Sequence, residues 1–189
     1  MRFTTRPELS GTFGMVASTH WIASAVGMKL LEAGGTAFAA AAAVGFTLNV
    51  VEPHLNGPLG DMPAIIRVAG EAPVVVCGQG VAPAAATIDH YRAQGLDMIP
   101  GAGLLASVVP GAFDAWMLML RDHGRLSLRS VMEPALHYAR HGHPLLPRVA
   151  ATIAAHADVF KAEWPTSAAV WMPDGQVPKP GALFRNPDL

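Results

Sequence analysis

Apolar and polar positions in the first third of the chain predict a strand followed by two helices. Residues 15–18 form a short apolar run after a glycine, which is typical of a strand. Residues 22–33 show helical spacing, and a pair of glycines follows them. Thr36 can cap a second helix with its side-chain oxygen, and Pro53 ends that helix. Because the second helix is rich in alanine, we expect it to be almost wholly buried.

The middle of the chain predicts a loop and then an antiparallel hairpin. Glycines and prolines crowd residues 53–63, which disfavours regular structure and lets the backbone approach a ligand. Residues 64–68 and 73–77 are β-rich runs that a short glycine-containing turn separates. We therefore expect two paired strands directly after the loop.

The last third predicts helices. Residues 111–121 and 130–140 are amphipathic and each precedes a glycine, and residues 148–164 form a further candidate. Residues 186–189 are typical of a helix N-terminus, with Asn as the cap and Pro in the first turn. No repeat or low-complexity linker interrupts the sequence, so residues 1–189 are interpreted as one domain or part of one.

Charge and cysteine content restrict the kinds of partner. The formal net charge is -1, so there is no basic field to attract nucleic acid or an anionic membrane, and we expect a small polar substrate instead. The single cysteine, Cys77, cannot form an internal disulfide. Residues 1–8 are basic but lack a following leucine-rich core, so we predict no export signal and a cytoplasmic location.

Three groups of residues could carry chemistry by themselves. His137 and His141 are four residues apart on a predicted helix, with His143 nearby, and could face one metal ion. No carboxylate or cysteine has a matching spacing, so we predict no metal and no cofactor. Cys77 fits no cysteine-protease signature, so we interpret it as a small buried apolar residue. The segment Ser18-Thr19-His20 pairs a hydroxyl with an imidazole, and we interpret it as a helix cap.

Several segments resemble γ-glutamyltranspeptidases in order and spacing, over nearly the whole chain. The most specific is Leu-Glu-Ala-Gly-Gly-Thr-Ala-Phe-Ala-Ala-Ala at residues 31–41. The others are Gly-Met-Val-Ala-Ser at 14–18, Val-Glu-Pro-His at 51–54, Val-Ala-Pro-Ala-Ala-Ala-Thr at 81–87, Val-Pro-Gly-Ala-Phe at 109–113, His-Gly-Arg-Leu at 123–126, Glu-Pro-Ala at 133–135, Ala-Arg-His-Gly at 139–142, and residues 171–189.

The resemblance implies an α+β fold, namely the N-terminal portion of a four-layer αββα sandwich of the N-terminal-nucleophile hydrolases. Such a precursor cuts itself into a large and a small subunit and frees a threonine, whose own α-amine can take the hydroxyl proton. That threonine and the oxyanion glycines would lie beyond this chain, which corresponds to the start of the large subunit. We therefore expect no catalytic residue here and an inactive isolated chain, with the rest of the large subunit and the small catalytic subunit as partners.

The resemblance also places Gln79 where the family has an arginine that binds the α-carboxylate of a γ-glutamyl group. A glutamine can hydrogen-bond a carboxylate but carries no charge. Residues 57–63 also differ from the family's run of glycines followed by an aromatic residue. Three functions follow as alternatives: γ-glutamyl hydrolysis or transfer on glutathione-type substrates, cleavage of another amide such as a cephalosporin side chain or a small amide acid, or a non-catalytic binding module.

Overall fold

The computed structural model describes residues 8–189, so residues 1–7, most of the segment assessed for an export signal, lie outside the described part. The described residues form two compact units, one from the segments up to Asn56 and from His123 to Leu189, the other from Gly57 to Asp122. The helices are α1 (Trp21–Glu32), α2 (Ala37–Val51), α3 (Ile88–Ala93), α4 (Ala112–His123), α5 (Leu128–His141), α6 (Pro147–Glu163) and α7 (Pro165–Trp171). The strands are β1 (Met62–Ile66), β2 (Val74–Gly78), β3 (His143–Pro144) and β4 (Leu183–Phe184).

Helix α2 is the centre of the first unit, with α1 and α5 both packed against it. Nine of its fifteen residues are buried, but Ala37 and Ala41 are exposed, so the helix is less completely buried than its alanine-rich sequence predicts. Thr36 caps it as predicted, because its hydroxyl oxygen accepts a hydrogen bond from Ala39 N–H at 3.3 Å. Small residues also let α1 approach closely: a Cβ added at Gly27 would lie 2.6 Å from a methyl group of Val44. The core between these helices is therefore built on short side chains.

The C-terminal segment of the first unit has its own apolar cluster. Its fully or nearly fully buried members are Leu145, Val149, Ala150, Ile153, Met172 and Phe184. They come from α6, from the end of α7 and from the short antiparallel pair of β3 and β4. Gly142 ends α5 with a φ of 94°, which confirms the predicted glycine at this helix end.

The second unit is a hairpin packed on a helix. Strands β1 and β2 pair antiparallel, with Met62 opposite Gly78 and Ile66 opposite Val74, close to the predicted bounds. One face contacts α4 through Met62, Ala112 and Ala115. The other face is open in the described structure, where the side chain of Ile65 is 78% exposed.

Two predicted elements are absent from the described residues. Residues 15–18 are irregular. Val16 lies against α1 at Gly27, but Met15 and Ala17 are exposed, and no described strand pairs with the backbone of this segment. Residues 186–189 form a turn closed by Leu189 N–H and the carbonyl of Asn186, not a helix. Between residues 8 and 189, no helix combines the length and the apolarity needed to cross a bilayer.

Candidate functional site

The end of β2 holds Gln79 on a backbone that is fixed from both sides. Before it, a Cβ at Gly78 would lie 2.6 Å from the carbonyl oxygen of Met62. After it, a Cβ at Gly80 would overlap the carbonyl oxygen of Val109. Only glycine fits at positions 78 and 80, because neither has room for a Cβ. These two close contacts fix the backbone position of Gln79 between them.

The loop before β1 is tied to the start of α4 in the same unit. The carbonyl oxygen of Gly60 accepts hydrogen bonds from Gly111 N–H at 3.3 Å and from Ala112 N–H at 3.0 Å. These are N–H groups at the beginning of a helix, where intrahelical partners are missing. A third hydrogen bond, from Val109 N–H to the carbonyl of Val81 at 2.9 Å, connects the segment before α4 to the one after Gln79. The loop, the end of β2 and the start of α4 thus form one connected framework.

The Gln79 side chain is exposed, and its carbonyl oxygen faces the thiol of Cys77 at 3.8 Å. The thiol is the donor in this contact, so the glutamine's amide N–H groups are directed elsewhere. A glutamine side chain carries no charge, so position 79 offers hydrogen bonds without a full charge.

Cys77 corrects one expectation. The sequence predicts a buried thiol, but the side chain is exposed. Alternation along β2 explains the error, because Val76 packs towards α4 while its neighbours on either side, Val75 and Cys77, occupy the opposite, open face.

A second group of polar side chains is buried in the first unit. His20, Glu52 and His143 are 2%, 5% and 2% exposed, and they come from three distant parts of the sequence. The Thr19 hydroxyl donates a hydrogen bond to the Glu52 carboxylate. His20 accepts one from Ile22 N–H at 3.1 Å through Nδ1 and so caps α1, which confirms the interpretation of residues 18–20 as a helix cap.

Burial lowers the pKa of both of these histidines and so favours their neutral forms. It lowers the pKa of His20, although the nearby Glu52 carboxylate acts in the opposite direction. It lowers the pKa of His143 to about 4, and proximity to His20 contributes to the same shift. Sequence reasoning missed this group, since only the fold brings its members together.

The predicted histidine pair on α5 does not form a metal site with His143. The rings of His137 and His141 lie 4.7 Å apart between centroids, as their spacing on the helix requires. His143 is buried beside Phe184 instead. In the part of the chain that the structure describes, no group of three or more histidine, cysteine, aspartate or glutamate side chains is arranged to hold a metal ion.

Comparisons with known proteins agree with this fold. The family model for gamma-glutamyltranspeptidase matches residues 23–189. The glutathione hydrolase-like YwrD proenzyme of Bacillus subtilis is 37% identical over 95% of this chain, which spans 34% of that protein. The solved structure of LmbA2991T421A is 56% identical with a TM-score of 0.96, over 100% of this chain and 32% of that one. The cephalosporin acylase from Bacillus halodurans is 31% identical with a TM-score of 0.87, over 97% of this chain and 36% of that one.

These matches define the protein as an α+β chain that forms the N-terminal portion of an N-terminal-nucleophile hydrolase sandwich. The chain belongs to the gamma-glutamyltranspeptidase family, a family of hydrolases and transferases. It spans about a third of the length of these relatives, as the matched shares show. The predicted family and fold class are confirmed.

Proposed function

We propose that this chain forms part of a self-processing enzyme that uses an N-terminal threonine to cleave amide bonds. Its own contribution is the framework around Gln79, which would form one wall of the acyl-binding site. The threonine would come from a segment outside these 189 residues and would form an acyl-enzyme intermediate. The relatives support this reaction class, because several of them bear the word proenzyme and are named as hydrolases or acylases.

The family match makes hydrolysis or transfer of γ-glutamyl groups the first candidate reaction. It covers residues 23–189, and relatives named as glutathione hydrolases match over most of this chain. In this reaction Gln79 would contact the α-carboxylate of the γ-glutamyl group through its amide N–H groups. Binding would be weaker than with an arginine, whose charged fork donates two parallel hydrogen bonds.

One observation favours the second candidate, cleavage of another amide such as a cephalosporin side chain or a small amide acid. The side chain at position 79 is uncharged and exposed, and its carbonyl oxygen faces the Cys77 thiol. Relatives named as acylase and as oxamate amidohydrolase show that the family includes other amide substrates. A non-catalytic binding module is a further alternative that the same experiment tests.

A pair of chromogenic anilides separates the candidates. γ-Glutamyl anilide carries an α-carboxylate, whereas 4-aminobutyryl anilide keeps the amine and the chain length but lacks that carboxylate. The enzyme tested is a long form, in which this chain is joined to the segment of LmbA2991 that follows the matched region. A higher kcat/KM for γ-glutamyl anilide supports the first candidate. A higher value for the other anilide, or self-cleavage of the long form without hydrolysis of γ-glutamyl anilide, supports the second. A long form that neither cleaves itself nor hydrolyses either anilide supports a binding module.

The variant Gln79→Arg tests the role of position 79 itself. A charge-assisted bond to the carboxylate should raise kcat/KM for γ-glutamyl anilide roughly 10- to 100-fold and leave 4-aminobutyryl anilide unchanged. Gln176→Arg is the matched control, because Gln176 is also an exposed glutamine but lies in the other unit. An equal change with both substrates, or an equal effect of the control, would contradict the proposed role.

A further inference from the structure

The backbone of Asp61 is held beside that of Gln79 by its two neighbours in the chain. The preceding residue, Gly60, is bonded through its carbonyl oxygen to the start of α4. The following residue, Met62, pairs with Gly78 in the hairpin. In the same antiparallel register, the next pair is Asp61 and Gln79. Side chains directly opposite each other in such a pair have Cβ atoms about 5 Å apart. Asp61 is therefore the cross-strand neighbour of Gln79.

Gly111 shows the same proximity independently of the strand register. Its N–H donates a hydrogen bond to the Gly60 carbonyl at 3.3 Å. A Cβ added to it would lie 2.6 Å from the Gly78 carbonyl oxygen and 2.9 Å from the carbonyl carbon of Gln79. One residue thus contacts both the backbone just before Asp61 and the backbone of Gln79. The Asp61 and Gln79 side chains therefore start from neighbouring points of the framework.

Both side chains lie on the open face of the hairpin. Met62 packs towards α4, whereas Asp61 before it and Pro63 after it are exposed, as alternation along a strand requires. Across from them, Gln79 and Cys77 are exposed as well. Asp61 is the acidic member of these four, and none of the four is basic. Among the residues that the structure describes, no lysine, arginine or histidine forms an ion pair with Asp61.

The carboxylate of Asp61 determines which charge is favoured beside Gln79. A second carboxylate placed there would be repelled by Asp61, and the neutral glutamine supplies no cation to offset this repulsion. An ammonium group would be attracted to Asp61 and can also donate a hydrogen bond to the Gln79 carbonyl oxygen. Because both side chains are exposed, these effects are moderate and are screened by salt. This end of the hairpin therefore favours a cationic group over an anionic one.

We propose that Asp61 is a specificity-determining residue that selects acyl groups ending in a primary ammonium group. The ammonium group occupies the place that the α-carboxylate of a γ-glutamyl group takes in the first candidate reaction. It is bound by the Asp61 carboxylate and the Gln79 carbonyl oxygen. The substrate class is therefore an amide of an ω-amino acid, which specifies the second candidate. This inference rests on the proposed function, because it places the acyl group against the Gln79 framework.

Three chromogenic anilides with the same length of acyl chain test the proposal in the long form. 5-Aminopentanoyl anilide ends in an ammonium group, pentanoyl anilide in a methyl group and glutaryl anilide in a carboxylate. The unmodified long form should show the highest kcat/KM for the first and the lowest for the third. Asp61→Asn should lower kcat/KM for 5-aminopentanoyl anilide roughly two- to tenfold, through KM. It should leave pentanoyl anilide unchanged and raise the value for glutaryl anilide by a similar factor.

Two further variants and a change of salt separate charge from structure. Asp97→Asn is the matched control, because Asp97 is also an exposed aspartate of the second unit but lies outside the Gln79 framework. Asp61→Glu keeps the charge and should keep the order of the three substrates. High salt should reduce the preference for 5-aminopentanoyl anilide in the unmodified long form, a measurement that needs no variant to fold. A preference that salt leaves unchanged, unchanged ratios of kcat/KM in Asp61→Asn, or an equal effect of Asp97→Asn would overturn the proposal.

Failure of the proposed function would give a different result. A long form that neither cleaves itself nor hydrolyses any of the three anilides would contradict the amide cleavage. Binding of 5-aminopentanamide and pentanamide to the long form, measured by saturation-transfer NMR, then tests Asp61 without catalysis. Preferential binding of 5-aminopentanamide that is lost in Asp61→Asn would support the proposal. Equal binding of 5-aminopentanamide to the unmodified form and to Asp61→Asn would overturn it.

Discussion

Replacing Gly27 by alanine tests how α1 and α2 pack. An added Cβ would lie 2.6 Å from the Val44 Cγ2 methyl group and 2.8 Å from the Val16 Cγ1 methyl group. Both distances are shorter than real Cβ contacts, so one neighbour must move. Val16 is half-buried in an irregular segment and can shift, whereas Val44 is buried on α2, where a β-branched side chain has one strongly preferred rotamer. The contact with Val44 should therefore account for most of the destabilisation that Gly27→Ala causes.

Two opposing effects determine how much Gly27→Ala changes the free energy of unfolding. Alanine in place of glycine inside a helix stabilises by about 1 kcal/mol. Overpacking a tight core costs about 1–3 kcal/mol. The packing effect should be the larger one, so we expect Gly27→Ala to lower the free energy of unfolding by about 1 kcal/mol, measured by urea denaturation followed by circular dichroism.

A double-mutant cycle isolates the contact. Val44→Ala removes the methyl group and should destabilise by itself through the cavity that it leaves. In that background, however, Gly27→Ala should be neutral or stabilising, because the helix-propensity gain is kept and the main steric conflict is gone. If Gly27→Ala destabilises the Val44→Ala background as much as it destabilises the unmodified chain, the contact is not the cause and the packing argument is refuted.

Three other changes have definite expected outcomes. The pKa of His143 is about 4 in the folded chain and about 6.5 when unfolded, so the unfolded state takes up a proton first as pH falls. The contribution of His143 to the free energy of unfolding should be full above pH 6.5 and decrease by about 3 kcal/mol towards pH 4, measured by denaturation at a series of pH values. If the free energy of unfolding of His143→Phe falls equally steeply with pH, the prediction is contradicted. Thr36→Ala should lower the free energy of unfolding by about 1–2 kcal/mol, and Thr87→Ala should lower it by less. Both hydroxyls cap a helix, but only that of Thr36 also donates a hydrogen bond to the His123 carbonyl, at 3.1 Å. Equal losses of stability in thermal melts would exclude a contribution from that hydrogen bond. Gly80→Ala should disrupt the segment that holds Gln79, because the added Cβ would overlap the carbonyl oxygen of Val109. The hydrogen-exchange rate at Val109 N–H should therefore rise, and an unchanged rate would refute this.

The sequence predicts elements well where local chemistry decides them. The Thr36 cap, the glycine that ends α5 and the hairpin turn depend on neighbouring residues, and the structure contains all three. The strand expected at residues 15–18 is absent because a strand requires a partner, and that partner cannot be read from the run itself. The exposure of Cys77 likewise depends on which face of the hairpin is covered.

The candidate sites, too, can be predicted from the sequence only where neighbouring residues determine them. Gln79 could be singled out because its neighbouring motif fixes its position in the family pattern, although its contact with the Cys77 thiol could not be foreseen. The burial of His20, Glu52 and His143 together depends on long-range packing of separate segments. Asp61 could be found in the sequence as part of a loop that differs from the family pattern, but its place opposite Gln79 depends on the register of the hairpin.

Self-cleavage measured by mass spectrometry tests the central claim most directly. The long form, with this chain joined to the following segment of LmbA2991, should convert from one polypeptide into two, and the smaller product should begin with threonine. The 189-residue chain alone should keep its mass and show no anilide hydrolysis. A folded long form that stays intact, or amide hydrolysis by the short chain alone, would contradict the account.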